Sequence, residues 1–111
     1  MKTQLKKSIK AALSLNSTKR LECGGGDEIF IKKATIAEIA KIEAVAASGE
    51  RVAEKTIALI LCDEHGNLIF DADKIADLDE IAEMVTADFV KNAQAEFLAF
   101  NGFQAAEEKK Q

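Results

Sequence analysis

The chain has 111 residues, 48% of them hydrophobic and 31% charged, with six glycines and no proline, tryptophan or tyrosine. A single domain of this length buries roughly 65% of its unfolded surface, so it needs no metal or disulfide staple and is not a disordered chain. The longest apolar runs, such as Ile57 to Cys62, fall far short of the roughly 20 residues that cross a bilayer, and no cleavage pattern follows the lysine-bearing start, so a cytosolic protein is expected.

The net charge of −4 is unevenly placed. Residues 1–20 carry Lys2, Lys6, Lys7, Lys10, Lys19 and Arg20 and no acid, so this segment is +6 and the rest of the chain is −10. A basic arm on an acidic body suits docking between the two, or onto another molecule. Within the arm, Leu5, Ile9, Ala12 and Leu13 fall on one helical stripe with lysines around it. A helix of about three turns is marginal alone in water and needs something to pack on. With no Trp or Phe on the stripe, a membrane surface is not the expected partner.

Two short segments, Arg20 to Cys23 and Glu28 to Lys32, flank Gly24-Gly25-Gly26-Asp27 and predict a small β-hairpin. No Gly-Lys-Ser/Thr follows these glycines, which excludes a phosphate loop. Thr35 and Glu38 form a capping box ahead of Ile36, Ile39, Ile42 and Val45, predicting a helix from Ile36 to Ala47. Ser48-Gly49 breaks it, and a second helix from about Glu50 to Leu61 or Cys62 ends apolar on every side, as the centre of the core.

The stretch Asp63-Glu64-His65-Gly66-Asn67 then turns into a short extended segment, Leu68-Ile69-Phe70. Asp71 or Asp73 is placed to cap the next helix. From Leu78, the positions Ile81, Ala82, Val85, Phe89, Ala93, Phe97 and Phe100 keep helical spacing for 23 residues, a helix of ~35 Å. Gly102 suits the left-handed position after it, with Phe103 folding back on Leu98.

The expected fold is therefore α+β and mainly α. It comprises a basic amphipathic arm (1–15), a single mainly helical domain (16–103) and a polar, disordered tail (104–111). The domain opens with a hairpin at about 20–32 and closes with a long C-terminal helix.

No catalytic set emerges. His65 is the only histidine and sits in a turn, and the Cys62-x-x-His65 spacing has only Cys23 as a further metal-ligand candidate. The two cysteines are read as reduced thiols. The carboxylates of Asp63–Asn67 and Asp71–Asp73 do not keep calcium-loop register, because His65 and Ile75 occupy ligand positions. No cofactor, metal or enzymatic activity is expected.

Two resemblances bear on function. Ala34-Thr35-Ile36-Ala37-Glu38-Ile39-Ala40-Lys41-Ile42 resembles the first helix of a bacterial helix-turn-helix regulator. Beyond it, Ala44 stands where a turn glycine belongs, and a domain of pI ≈ 5.0 lacks the basic surface that neutralises phosphates.

The second resemblance runs from about Leu13 to Phe103. A short basic helix precedes a hairpin ending in Ile29-Phe30-Ile31-Lys32-Lys33-Ala34-Thr35-Ile36-Ala37-Glu38, followed by a helical pair. Ala58-Leu59-Ile60-Leu61-Cys62-Asp63-Glu64-His65-Gly66-Asn67-Leu68-Ile69-Phe70 comes next, then an Asp-rich cap and a helix ending in Asn101-Gly102. This order resembles the tail assembly chaperones of long-tailed, siphovirus-like bacteriophages.

The resemblance implies a non-enzymatic protein of the host cytoplasm, not retained in the mature virion. Such a protein binds the tape measure protein, keeps its apolar helices soluble and helps recruit tail tube protein. It also implies a longer form made by programmed frameshift, for which Lys109-Lys110 supplies a candidate slippery run. The expected partners are these two proteins and a possible second copy of the chain, with no nucleic acid and no membrane. The candidate contact residues are Phe100 and Phe103 at the end of the last helix, and Leu5, Ile9 and Leu13 with Lys6 and Lys10 in the arm. Phe89, Phe97, Phe100 and Phe103 are expected chiefly as core, because a small domain needs its large hydrophobes inside.

Overall fold

In the computed structural model, which describes residues 4–8, 18–21 and 28–103, the hairpin forms between β1 (Thr18–Arg20) and β2 (Phe30–Lys32), antiparallel with Lys19 opposite Ile31. Leu21 N–H extends the ladder to the Ile29 carbonyl at 2.8 Å. Both strands are shorter than the sequence predicts, and β1 starts two residues earlier. Cys23 and the three glycines lie outside the described residues, as does the tail 104–111. In the arm, residues 4–8 are helical (α1) and all exposed. Ile9, Lys10, Ala12 and Leu13 lie outside the described residues.

The capping box forms as expected. Thr35 Oγ1 accepts from Glu38 N–H at 3.2 Å, and Glu38 Oε1 accepts from Thr35 N–H at 2.8 Å, opening α2 (Ile36–Ser48). Gly49 at φ 70° ends it, and Arg51 at φ 48° leads into α3 (Val52–Ile60). α3 therefore starts two residues later than expected. It also stops earlier: Leu61 turns extended, and β3 (Leu61–Cys62) joins the sheet against β2 in the order β1-β2-β3, with Ile31 opposite Leu61. The third strand is a correction to the helical reading of Leu61 and Cys62. An apolar run carries no period of its own, and the open edge of β2 supplies the partners that convert its end to a strand.

The expected 23-residue helix is two helices, α4 (Ile75–Met84) and α5 (Ala87–Phe100). Val85 is extended, and Thr86 Oγ1 accepts from Phe89 N–H at 3.1 Å, so a cap restarts the chain without losing the apolar stripe. The acidic cap before α4 also differs from expectation. Lys74 is the N-cap and makes no side-chain cap bond, while Asp71 and Asp73 build the preceding turn. There Asp71 Oδ1 accepts from Asp73 N–H at 2.8 Å, and Asp77 Oδ2 holds Asp71 N–H at 2.8 Å. At the C-terminus of α5, Gly102 N–H donates to Ala99 O at 3.1 Å and Phe103 N–H to Leu98 O at 2.8 Å, with Gly102 at φ 83°. This is the Schellman closure, with Phe103 folded back as expected.

The core is built around α3. Ile57, Ala58 and Ile60, followed by Leu61 and Cys62, are buried against Leu21 and Ile31 from the hairpin, Leu78 and Ile81 from α4, and Ala93 and Phe97 from α5. Each large buried side chain contributes about 1.5–3 kcal/mol. Among the described residues, no helix is long and apolar enough to cross a membrane.

Asn101 ties the last helix to the sheet. Its Oδ1 accepts from Ala34 N–H at 2.7 Å, and its Nδ2 donates to Lys32 O at 3.2 Å and Phe97 O at 2.9 Å. Replacing Asn101 by Ala removes all three bonds and leaves half-buried backbone groups unpaired. We expect a loss of about 2–3 kcal/mol in urea unfolding; a loss within experimental error would show that solvent replaces the tie.

Candidate functional site

α2 and α5 both pack on α3 and hardly touch each other. The consequence is an apolar groove of about 290 Å³ between them. Ile60 and Phe97 form its buried base, Ile39 and Ile42 its α2 wall, and Leu98 and Phe103 its α5 wall. Glu43, Thr56 and Gln94 complete the lining, and Glu43 is its only charged group among the described residues. α2 has no fully buried residue despite its isoleucine stripe, so Ile39 and Ile42 stay partly open to the groove. Leu98 and Phe103 are 41% and 46% exposed. Apolar walls with so few polar groups suit an apolar side-chain row better than a polar metabolite.

The expected contact residues are divided by the fold. Phe103 reaches the groove. Phe100 is not part of the groove lining and is half-buried against the core, with the Lys33 ammonium 4.4 Å from its ring centroid and bonded to its carbonyl. This cation–π contact engages the Phe100 ring within the chain. Phe97 is buried and Phe89 half-buried, as core. Phe103 is therefore the exception among the four phenylalanines. Leu5 is 59% exposed and Lys6 is exposed on α1, whereas Ile9, Lys10 and Leu13 lie outside the described residues.

In the sequence, Ile39, Ile42 and Leu98 have the pattern of ordinary helix-face residues. The Schellman closure is the one signal that points to the groove, because it returns Phe103 to Leu98 at the helix end.

The polar clusters serve the fold. Asp63 Oδ1 accepts from His65 N–H at 2.8 Å and Asn67 N–H at 2.9 Å, and Asn67 Nδ2 reaches its second oxygen at 3.4 Å. These bonds, from Asn67 first, hold the Asp63 carboxyl below its ordinary pKa. His65 is exposed, with Nε2 3.3 Å from Glu64. Cys62 is a buried free thiol that donates to Phe30 O at 3.4 Å, and burial pushes its pKa up to about 11. A protonated, enclosed thiol presents little thiolate at neutral pH. Among the described residues, no group of three or more His, Cys, Asp or Glu is placed to hold a metal ion.

Glu38 couples the cap of α2 to the sheet. Partial burial raises its pKa, but the Thr35 N–H and the Lys32 ammonium at 2.9 Å outweigh burial, and the net direction is downward. A carboxyl with a lowered folded pKa adds stability above its unfolded value of about 4.5, and that stability is lost as pH falls through the folded value. The Glu38→Gln variant should therefore show a shallower loss of stability between neutral pH and the acid range, read by urea unfolding. Equal slopes for variant and parent would remove Glu38 from the acid response. In a Cys23→Ser background, Cys62 should react with a thiol reagent at pH 8 only as fast as the fold opens. Reaction at the rate of the unfolded chain would contradict its enclosure.

Comparison with protein-family models, curated proteins and solved structures finds no match.

Proposed function

We propose that this chain is a non-enzymatic tail assembly chaperone of a long-tailed bacteriophage. It binds the tape measure protein in the host cytoplasm, keeps its apolar helices from aggregating while tail tube protein is recruited, and is left out of the finished virion. The α2–α5 groove is the observation that carries this reading. It offers an exposed apolar seat between two helices, on an acidic domain whose charge keeps a complex soluble. An amphipathic helix lays its apolar side chains into such a groove at one-turn spacing.

The sequence resemblance supplies the partner's identity. Its most specific stretch, Ala58 to Phe70, forms the buried end of α3, β3 and the Asp63–Asn67 turn, with Leu68 bridged to Cys62. That stretch serves the fold on which the groove is mounted.

The alternative, a helix-turn-helix regulator, asks α3 to act as the recognition helix. Thr56, Ile57, Ala58 and Ile60 on that helix are buried. At its start, Arg51 is held 2.9 Å from Asp79 and 3.4 Å from Glu54, which removes a cation that a phosphate would need.

Co-expression with a tape measure protein should yield a soluble complex. Leu98→Glu or Phe103→Glu should weaken it by about 2 kcal/mol, roughly 30-fold, with the circular dichroism of the chain unchanged. Failure of co-purification, together with duplex binding that falls steeply with salt, would favour the regulator instead.

A further inference from the structure

Two apolar features of the chain are to be matched: the groove, and the stripe that the sequence places on the basic arm. The described residues of α1 are all exposed, Leu5 at 59%. A short helix in that state gains most of its stability by packing its stripe.

Charge selects which groove the stripe fits. Lys6 and Lys10 flank it, and the α2–α5 groove is lined by a single charged residue, Glu43, which makes no ion pair among the described residues. The neighbouring groove between α2, α3 and α4 sets Lys41 and Lys55 against a single carboxylate, Asp73, a net positive rim that disfavours a basic helix. In the depression between α3, α4 and α5, the carboxylate of Glu54 is already paired with Arg51. Spacing agrees with charge: Leu5, Ile9 and Leu13 recur at four residues, as do Ile39 and Glu43 on one wall and Gln94 and Leu98 on the other.

Topology decides whose groove is filled. The arm leaves the domain at β1, where Thr18 Oγ1 donates to Glu64 O at 3.3 Å and Lys19 reaches Glu96 at 3.9 Å. Glu96 is two residues from both Gln94 and Leu98, so it projects from the far side of α5. Leu13 and the first residue of β1, Thr18, are five residue steps apart, at most ~18 Å of chain. That stretch would have to round a helix ≈ 10–12 Å across to reach the molecule's own groove. A second copy presents its groove without that detour.

We propose that the arm of one copy docks Leu5, Ile9 and Leu13 in the α2–α5 groove of a second copy, reciprocally, with Lys6 and Lys10 facing Glu43. The homodimer covers both apolar surfaces until an assembly partner displaces the arm. The exchange rests on the groove being the partner site, and it makes self-association a competitor of tape measure binding.

Sedimentation equilibrium of the full chain tests it. The parent should run as two copies of the 12.0 kDa chain at micromolar concentration. The Leu5→Ser/Ile9→Ser/Leu13→Ser variant and the Leu98→Glu variant should each dissociate at least about tenfold more readily. Glu43→Lys, an exposed change that spares the apolar walls, should act in the same direction and stands in for Leu98→Glu if that variant unfolds. Mixing the arm variant with the Leu98→Glu variant should restore association, because the intact arm of one meets the intact groove of the other.

A monomeric parent, or a dimer indifferent to all these changes, overturns the proposal, as does a mixture that fails to associate. Pull-down with the tape measure protein separates the two claims. The arm variant should capture it more tightly than the parent. Capture by a monomeric parent sinks only the exchange, whereas an arm-dependent dimer that captures nothing sinks only the chaperone reading.

Discussion

An apolar segment with no polar side must be enclosed from every direction, and Ile57 to Cys62 is such a segment. Its helical part presents Ile57, Ala58 and Ile60, and its strand presents Leu61 and Cys62, all buried. No single helix or hairpin covers that much surface. The hairpin closes one side through Leu21 and Ile31, α4 another through Leu78 and Ile81, and α5 a third through Ala93 and Phe97. The remaining elements are arranged by what this segment requires of them.

The same requirement creates the groove. Two helices that both pack on a third need not meet each other, and α2 and α5 leave a cleft where they diverge. α2 then has an apolar stripe with cover on one flank only, which is why Ile39 and Ile42 are core-facing and partly open at once. Leu98 and Phe103 stay open beside them, and this apolar exposure is what the proposed partner site rests on.

Polar side chains in this fold act mainly on backbone. Thr35 and Glu38 close the start of α2, Asp63 closes its own turn, Thr86 restarts α5, and Asn101 links α5 to the segment after β2. Each satisfies a donor or acceptor that would otherwise be stranded at an element boundary. Glu38, Asp63, Asp71 and Asp77 are thereby committed to capping and turn formation.

Local chemistry was written in the sequence. The Thr35/Glu38 box, the Gly49 break, and the Gly102 and Phe103 closure are each set by residues within one turn of one another, and each forms as the sequence predicts. The charge split between arm and body is likewise a property of the chain order alone. Tertiary structure decided what depends on distant partners. Leu61 and Cys62 became a strand because β2 had an open edge. The long stripe divided at Val85 and Thr86, where a local cap competed with helix continuation without disturbing the buried face. Phe100 and Phe103, three residues apart, went to different fates because Lys33 met one and the α2 wall left the other exposed. The groove was legible in no single segment, since it is the gap between helices more than thirty residues apart. A gap of that kind is fixed only when both helices have settled on the third.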